Sequence, residues 1–216
     1  MKLFDLLMNQ ILALPNMKIQ LRETLKITGI MFCLISNSIY SQSKKELQFI
    51  ETTKAIATSI AKADTTALKN YTDPSAGLYV LYNIGVNAEY FRVKALSFDE
   101  NAFPPMPPYR QLNKSSLKYE TLPSYNCDSM NWNKQGCFVD TAKNDSTLTE
   151  LLKTTETISG IKNPKATVTV FETIEKNGRR VIVTSAKGDG LIMHLLYKNK
   201  QWYLVVVDLL VTNCGV

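Results

Sequence analysis

Histidine and cysteine are scarce: the chain has one His and four Cys in 216 residues. That is little material for a transition-metal site, whose usual ligands are imidazoles and thiolates. No cofactor is implied, because GxGxxG, Walker, GxSxG, HExxH and EF-hand patterns are all missing. Nine Gly and eight Pro are too few for a collagen-like or low-complexity chain. The longest apolar run falls well short of the ~20 residues that span a bilayer. Charge of one sign is not concentrated either. Lys and Arg number 25 against 19 Asp and Glu, for a net +6, and they are scattered without aromatic interleaving. Nucleic-acid binding needs a concentrated basic footprint, so no nucleic-acid partner is expected. What is present suffices for a core: 45% of the residues are hydrophobic.

The N-terminus has its own grammar. Lys18, Arg22 and Lys26 precede an apolar run from Ile27 to Ile35, and a polar stretch ends at Ser41. Basic, apolar, then polar with a small residue is the order of a cleaved secretory signal. Residues 1–41 are therefore read as a signal peptide, with Met17 as an alternative start. The mature chain, 42–216, is expected to be exported to a periplasmic or extracellular space, with no stable membrane span left. A membrane anchor is the rival, but the run is about half the required length. Phe32 before Cys33 argues against a lipoprotein.

Cys127, Cys137 and Cys214 remain after export. An odd count in an oxidising compartment suggests one disulfide among them and one further thiol. Cys127 and Cys137 flank a polar loop anchored by Trp132. Cys214 could equally bridge to either, and the sequence leaves connectivity open. A catalytic Cys would need an activating base, which a single His makes a poor prospect.

Along the mature chain, residues 44–63 have amphipathic helical spacing, with Phe49, Ile56, Ile60 and Ala63 in one stripe. Asp64-Thr65-Thr66 caps a short second helix, Ala67 to Tyr71. Asp73-Pro74-Ser75-Ala76-Gly77 is turn chemistry. Leu78–Tyr82, Val86–Phe98 and Leu117–Leu122 read as strands. The cluster Phe103-Pro104-Pro105-Met106-Pro107-Pro108-Tyr109 reads as a rigid loop. With the cysteine loop it forms an insertion around residues 100–140 of a single α+β domain. Thr147 opens a further helix, with Glu150 in capping-box spacing and Leu148, Leu151, Leu152, Thr155 and Ile158 on its inner face. Ser159-Gly160 ends it.

The last fifty residues predict a four-stranded antiparallel meander: Thr167–Glu175, Val181–Ser185, Leu191–Tyr197 and Trp202–Val211. Its turns are Asn177-Gly178, Gly188-Asp189-Gly190 and Asn199-Lys200. A two-residue turn at Asn199-Lys200 places Leu195 opposite Leu204 and Leu191 opposite Asp208. Strict alternation then puts Asp208 on one face and His194 on the other. Both faces of this last pair are apolar, so both need cover. Helices can cover one. A curled sheet or a second copy of the chain, as a homodimer, can cover the other.

A long first helix, a short helix opened by Ala63-Asp64-Thr65-Thr66-Ala67-Leu68, a late helix and strands ending near Gln201-Trp202-Tyr203-Leu204 resemble the nuclear transport factor 2-like superfamily. The chain also resembles uncharacterised exported bacterial proteins with an Asp73-Pro74…Gly77-Leu78-Tyr79 segment. The superfamily likeness implies a cone of curved sheet closed by helices. Its members include proton-moving enzymes and many non-catalytic binders, so fold alone leaves activity open. Asp208, Glu172, His194 and the tyrosines are the polar candidates, with Asp208 and His194 foremost as an acid or base. The expected function is an exported, non-catalytic module binding a small apolar ligand. The alternative is a small proton-transfer or hydrolytic enzyme using a carboxylate or His in the cone.

Overall fold

The computed structural model describes residues 44–75, 77–107, 109, 116–140, 147–185 and 188–211. The proposed signal segment and Cys214 lie outside them. Residues Gln48–Val216 form one compact unit. The fold is α+β: a curved, mostly antiparallel seven-stranded sheet with helices, not closed into a barrel. Among the described residues no helix is long and apolar enough to cross a membrane.

Helix α1 runs through residues 44–61. Phe49, Thr52, Thr53, Ile56, Ala57, Ser59 and Ile60 are its buried residues, and Phe49, Thr52, Thr53, Ile56 and Ile60 recur three and four apart as one helical face requires. Ala63 does not extend the stripe. It sits beyond the helix end at φ +54 and is exposed. Helix α2 is Thr65–Lys69, two residues earlier than expected, and Asp64 Oδ1 accepts the Ala67 N–H at 2.9 Å as its cap.

Nine strands follow: β1 Leu78–Ile84, β2 Asn87–Val93, β3 Leu117–Tyr119, β4 Tyr125–Asn126, β5 Asn131–Trp132, β6 Gly136–Val139, β7 Arg179–Thr184, β8 Gly190–Lys198 and β9 Gln201–Asp208. Helices α3, Thr147–Ser159, and α4, Lys165–Asn177, lie between β6 and β7. The large sheet is ordered β2-β1-β9-β8-β7-β6-β3, and β4 pairs with β5 as a separate hairpin. Pairs β1–β9 and β3–β6 are parallel; the others are antiparallel. Strands β3 and β6 thus draw much of the expected insertion into the central sheet.

One expected strand is a helix. Thr167–Glu175, read as β from its threonines, valines and Phe171, lies within α4. Its buried residues Thr167, Phe171 and Ile174 fall at helical spacing. Gly178 is the helix C-cap rather than a hairpin turn. An added Cβ there would lie 2.5 Å from the Ile174 carbonyl oxygen, so only glycine lets the chain turn directly into β7. The fourth strand of the antiparallel run is β6, supplied from before the helices. A two-residue hairpin at Asn177-Gly178 would have set Glu175 opposite Arg180, and that pairing is lost with the strand. Glu175 instead caps α3: its Oε1 accepts the Leu148 and Thr149 N–H groups at 2.8 and 2.9 Å. It ties α3 to α4.

The sheet is buried on both sides, within one chain. One face packs Leu191, Met193, Leu195, Trp202, Leu204 and Val207 against α1 and Leu68 of α2. The other packs Tyr79, Leu81, Val205 and Val206 against Leu148, Leu151 and Leu152 of α3 and Phe171 and Ile174 of α4. Trp132 of the β4–β5 hairpin covers Ile182 and Ile192. The two-sided apolar pattern therefore has its cover without a second copy.

Candidate functional site

Strands β8 and β9 set the geometry of the polar candidates. Asn199 and Lys200 both have positive φ, the left-handed pair of a two-residue hairpin turn. Tyr197 faces Trp202 and Leu195 faces Leu204, as foreseen. Then the ladder slips: His194 faces Val206, leaving Val205 as the extra residue of a β-bulge. Beyond it every side chain of β9 changes face. Asp208 faces Ile192, not Leu191, and so joins the face of His194. The sequence expectation that the two lie on opposite faces is overturned by this one residue.

Arg180 is opposite His194 on β7, and its Nη2 lies 3.8 Å from Asp208 Oδ2. Asp208 Oδ1 accepts the Leu210 N–H at 2.9 Å, closing the strand end. His194 is 5% exposed, and its Nε2 has no hydrogen-bond partner among the described residues. Burial, reinforced by the Arg180 charge, pulls the imidazole down to about 3. It is neutral at physiological pH and a very weak base. Asp208 is 6% exposed and paired. These groups form a buried charge-and-hydrogen-bond cluster, and solvent does not reach them freely.

The other candidates disperse. Glu172 is exposed on α4. Tyr79 and Tyr90 pack on Phe171, with ring centroids 5.0 and 5.6 Å away. The Tyr90 hydroxyl donates to Asn163 Oδ1 at 2.6 Å, and burial raises its pKa. Cys137 is a free, buried thiol, pushed up to about 12 by burial, which makes it unreactive. Cys127 is disulfide-bonded, but no bridge joins two described cysteines.

The cavity with binding character lies elsewhere, and sequence reasoning missed it. Ile60, Ala61, Lys62 and Ala63 at the end of α1 form one wall. Phe98, Met106, Pro107 and Tyr109 form the other. Its volume is about 280 Å3. Six of the eight side chains are apolar, yet the cavity surface is as polar as it is apolar, with Lys62 and Tyr109 contributing. Tyr109 is buried, which raises its hydroxyl pKa. Met106, Pro107 and Tyr109 bring the proline cluster to this wall, where proline stiffens the backbone. The signals in the sequence were Ala61 and Ala63, small residues where α1 ends, but no local pattern joins them to Met106.

Neither a family model, nor a curated protein, nor a solved structure matches this chain.

Proposed function

We propose that the protein is an exported, non-catalytic binding module whose cavity between α1 and the proline loop takes a small apolar molecule. The observation that carries this reading is the lining of that cavity: Ile60, Phe98, Met106 and Pro107 stand beside the buried Tyr109, and its surface is as polar as it is apolar; small-molecule sites combine apolar walls with a few placed polar groups. Its size suits a compact ligand. The placement of the polar candidates supports the non-catalytic half. His194 and Asp208 do not line that cavity, although the Asp208 charge is felt at Tyr109, and a general acid or base must come within hydrogen-bond reach of its substrate. The proton-transfer alternative draws support from one feature, the bulge that brings Asp208 and His194 to the same face. It ranks second because burial leaves the imidazole nearly without basicity. The element order, a long helix and a short capped helix before long antiparallel strands, supports kinship with the nuclear transport factor 2-like superfamily.

Native mass spectrometry of the protein purified from its own host tests the reading. The expected result is a chain beginning near Gln42 with a bound small molecule. Ala61→Trp, which fills the cavity from its wall, should release that molecule without unfolding the chain. A bare protein that also fails to bind an apolar fluorescent probe, or one whose ligand survives Ala61→Trp, refutes the proposed site. An intact residue 1 in the membrane fraction refutes export by cleavage.

A further inference from the structure

We propose that the turn joining α3 to α4 is a docking site for an anionic lipid bilayer, with Ile158 and Ile161 entering the interface between Lys153, Lys162 and Lys165. The inner stripe of α3 continues in spacing from Leu148 through Thr155 to Ile158. Ile158 nevertheless stays outside the core that the earlier leucines join, and it is 54% exposed. Ile161, just past the helix end, is 72% exposed. Between them Gly160 has φ +68, and a Cβ built there would meet nothing within 4 Å. Two large aliphatic side chains therefore stand at an open, protruding tip.

The tip is held firmly. Gly160 N–H donates to Glu156 O at 2.9 Å. Asn163 Nδ2 donates to Leu152 O at 2.7 Å, and the Asn163 backbone N–H donates to Glu156 Oε1 at 2.7 Å. Tyr90 of β2 donates to Asn163 from the sheet. Holding the isoleucines in place reduces the ordering cost of docking. Lys153 and Lys162 line the same groove as Ile161, and Lys165 is exposed where α4 begins. The carboxylate in that groove, Glu156, accepts the Asn163 N–H and offsets one of the three lysine charges.

Apolar side chains ringed by lysines match the chemistry of a bilayer surface: acyl boundary below, phosphates around. Lysine acts as a point charge without the fixed geometry that arginine imposes, which suits a fluid array of headgroups. Residues 42–216, with 21 Lys and Arg against 17 Asp and Glu, keep a net +4 that adds long-range attraction to anionic lipid. A tip this small gives weak, reversible attachment.

The test uses the full chain with Thr157→Cys carrying an environment-sensitive nitrobenzoxadiazole. Its local readout cannot be mimicked by the apolar N-terminal run. Vesicles are phosphatidylcholine with phosphatidylglycerol, or phosphatidylcholine alone. Emission should rise and shift blue on the anionic vesicles, with apparent affinity about tenfold weaker or less on neutral ones, and the signal should fall in high salt. Ile158→Ser with Ile161→Ser should abolish the signal. Lys153→Gln with Lys162→Gln should weaken it about tenfold. All four positions are exposed, so the melting temperature should hold. No change on anionic vesicles, an equal change on neutral ones, or indifference to both variant pairs overturns the proposal. So does binding an acidic amphipathic peptide at this turn while ignoring vesicles.

Discussion

Gly190 carries a seat for Trp132, and replacing it with alanine is the most direct test of how the β4–β5 hairpin is held. A Cβ on Gly190 would fall within the van der Waals envelope of Trp132 Nε1, Cε2 and Cζ2. These atoms belong to a rigid indole, so the ring must leave. Trp132 is 4% exposed, packs on Ile182 and Ile192, and stands edge-on to Tyr125 with centroids 5.2 Å apart. A buried Trp removes ~150–250 Å2 from water, and at ~25 cal/mol per Å2 that is about 4–6 kcal/mol. Partial repacking lowers the expected cost of Gly190→Ala to about 3–5 kcal/mol, the range of a truncated core Trp.

Urea unfolding followed by circular dichroism measures that cost. The emission of Trp132 should shift red while the buried Trp202 reports the rest of the core. A double-mutant cycle makes the test specific. If the damage acts through the indole, Gly190→Ala added to Trp132→Ala should cost under about 0.5 kcal/mol more than Trp132→Ala alone. Additive losses, or a Gly190→Ala protein of unchanged stability and emission, would refute the seat.

The imidazole of His194 is depressed in the folded state, to about 3, against ~6.5 in an unfolded chain. The unfolded state therefore binds the extra proton, and stability should fall as pH drops through this window, by at most ~1.4 kcal/mol per pH unit. The chain's single His makes the check simple: its ring-proton NMR signal should not titrate between pH 5 and 8, and a normal midpoint near 6.5 would contradict the burial. Asp73 is buried, and its carboxylate accepts from the Ser75 N–H, the Ser75 hydroxyl and Lys198 Nζ at 2.7–2.8 Å. Asp73→Ala should cost about 2–3 kcal/mol, whereas Lys198→Met should cost under ~1 kcal/mol because the ammonium is partly in water; equal losses in thermal melts would count against this ordering. With Cys137 free and Cys33 in the proposed signal, the Cys127 disulfide should run to Cys214. Non-reducing peptide mapping that links Cys127 to another chain would exclude it.

Much of the scaffold was legible because local chemistry and tertiary demand agreed. The α1 stripe, the Asp64 cap, the end of α3 at Gly160 and the Asn199-Lys200 turn all follow from short-range rules. The Thr167–Glu175 segment shows where such rules stop. Thr, Val and Phe favour strands through packing on a pleated surface, but here Phe171 and Ile174 pack on a sheet face as a helix, beside α3. The Asn177-Gly178 pair, a strong hairpin signal in isolation, was needed as a helix stop. Cover for the second face of the sheet outweighed β propensity.

The candidate site was less legible for a different reason. Residue types were read correctly: Asp208 and His194 are both buried polar groups in apolar strands. Their relation depended on register, and a strand with period two has no tolerance for one extra residue. Val205 and Val206 both pack toward α3 and α4, so β9 keeps an apolar face after the slip and nothing in hydropathy marks it. The same slip places Asp208 within reach of Arg180. Had strict alternation continued, the carboxylate would have projected into the α1 core beside Leu191 and Met193, where Arg180 could not neutralise it. An unpaired buried carboxylate is far costlier than a local defect in a β ladder. The bulge is thus the arrangement that lets two apolar faces and one paired charge coexist on a single strand.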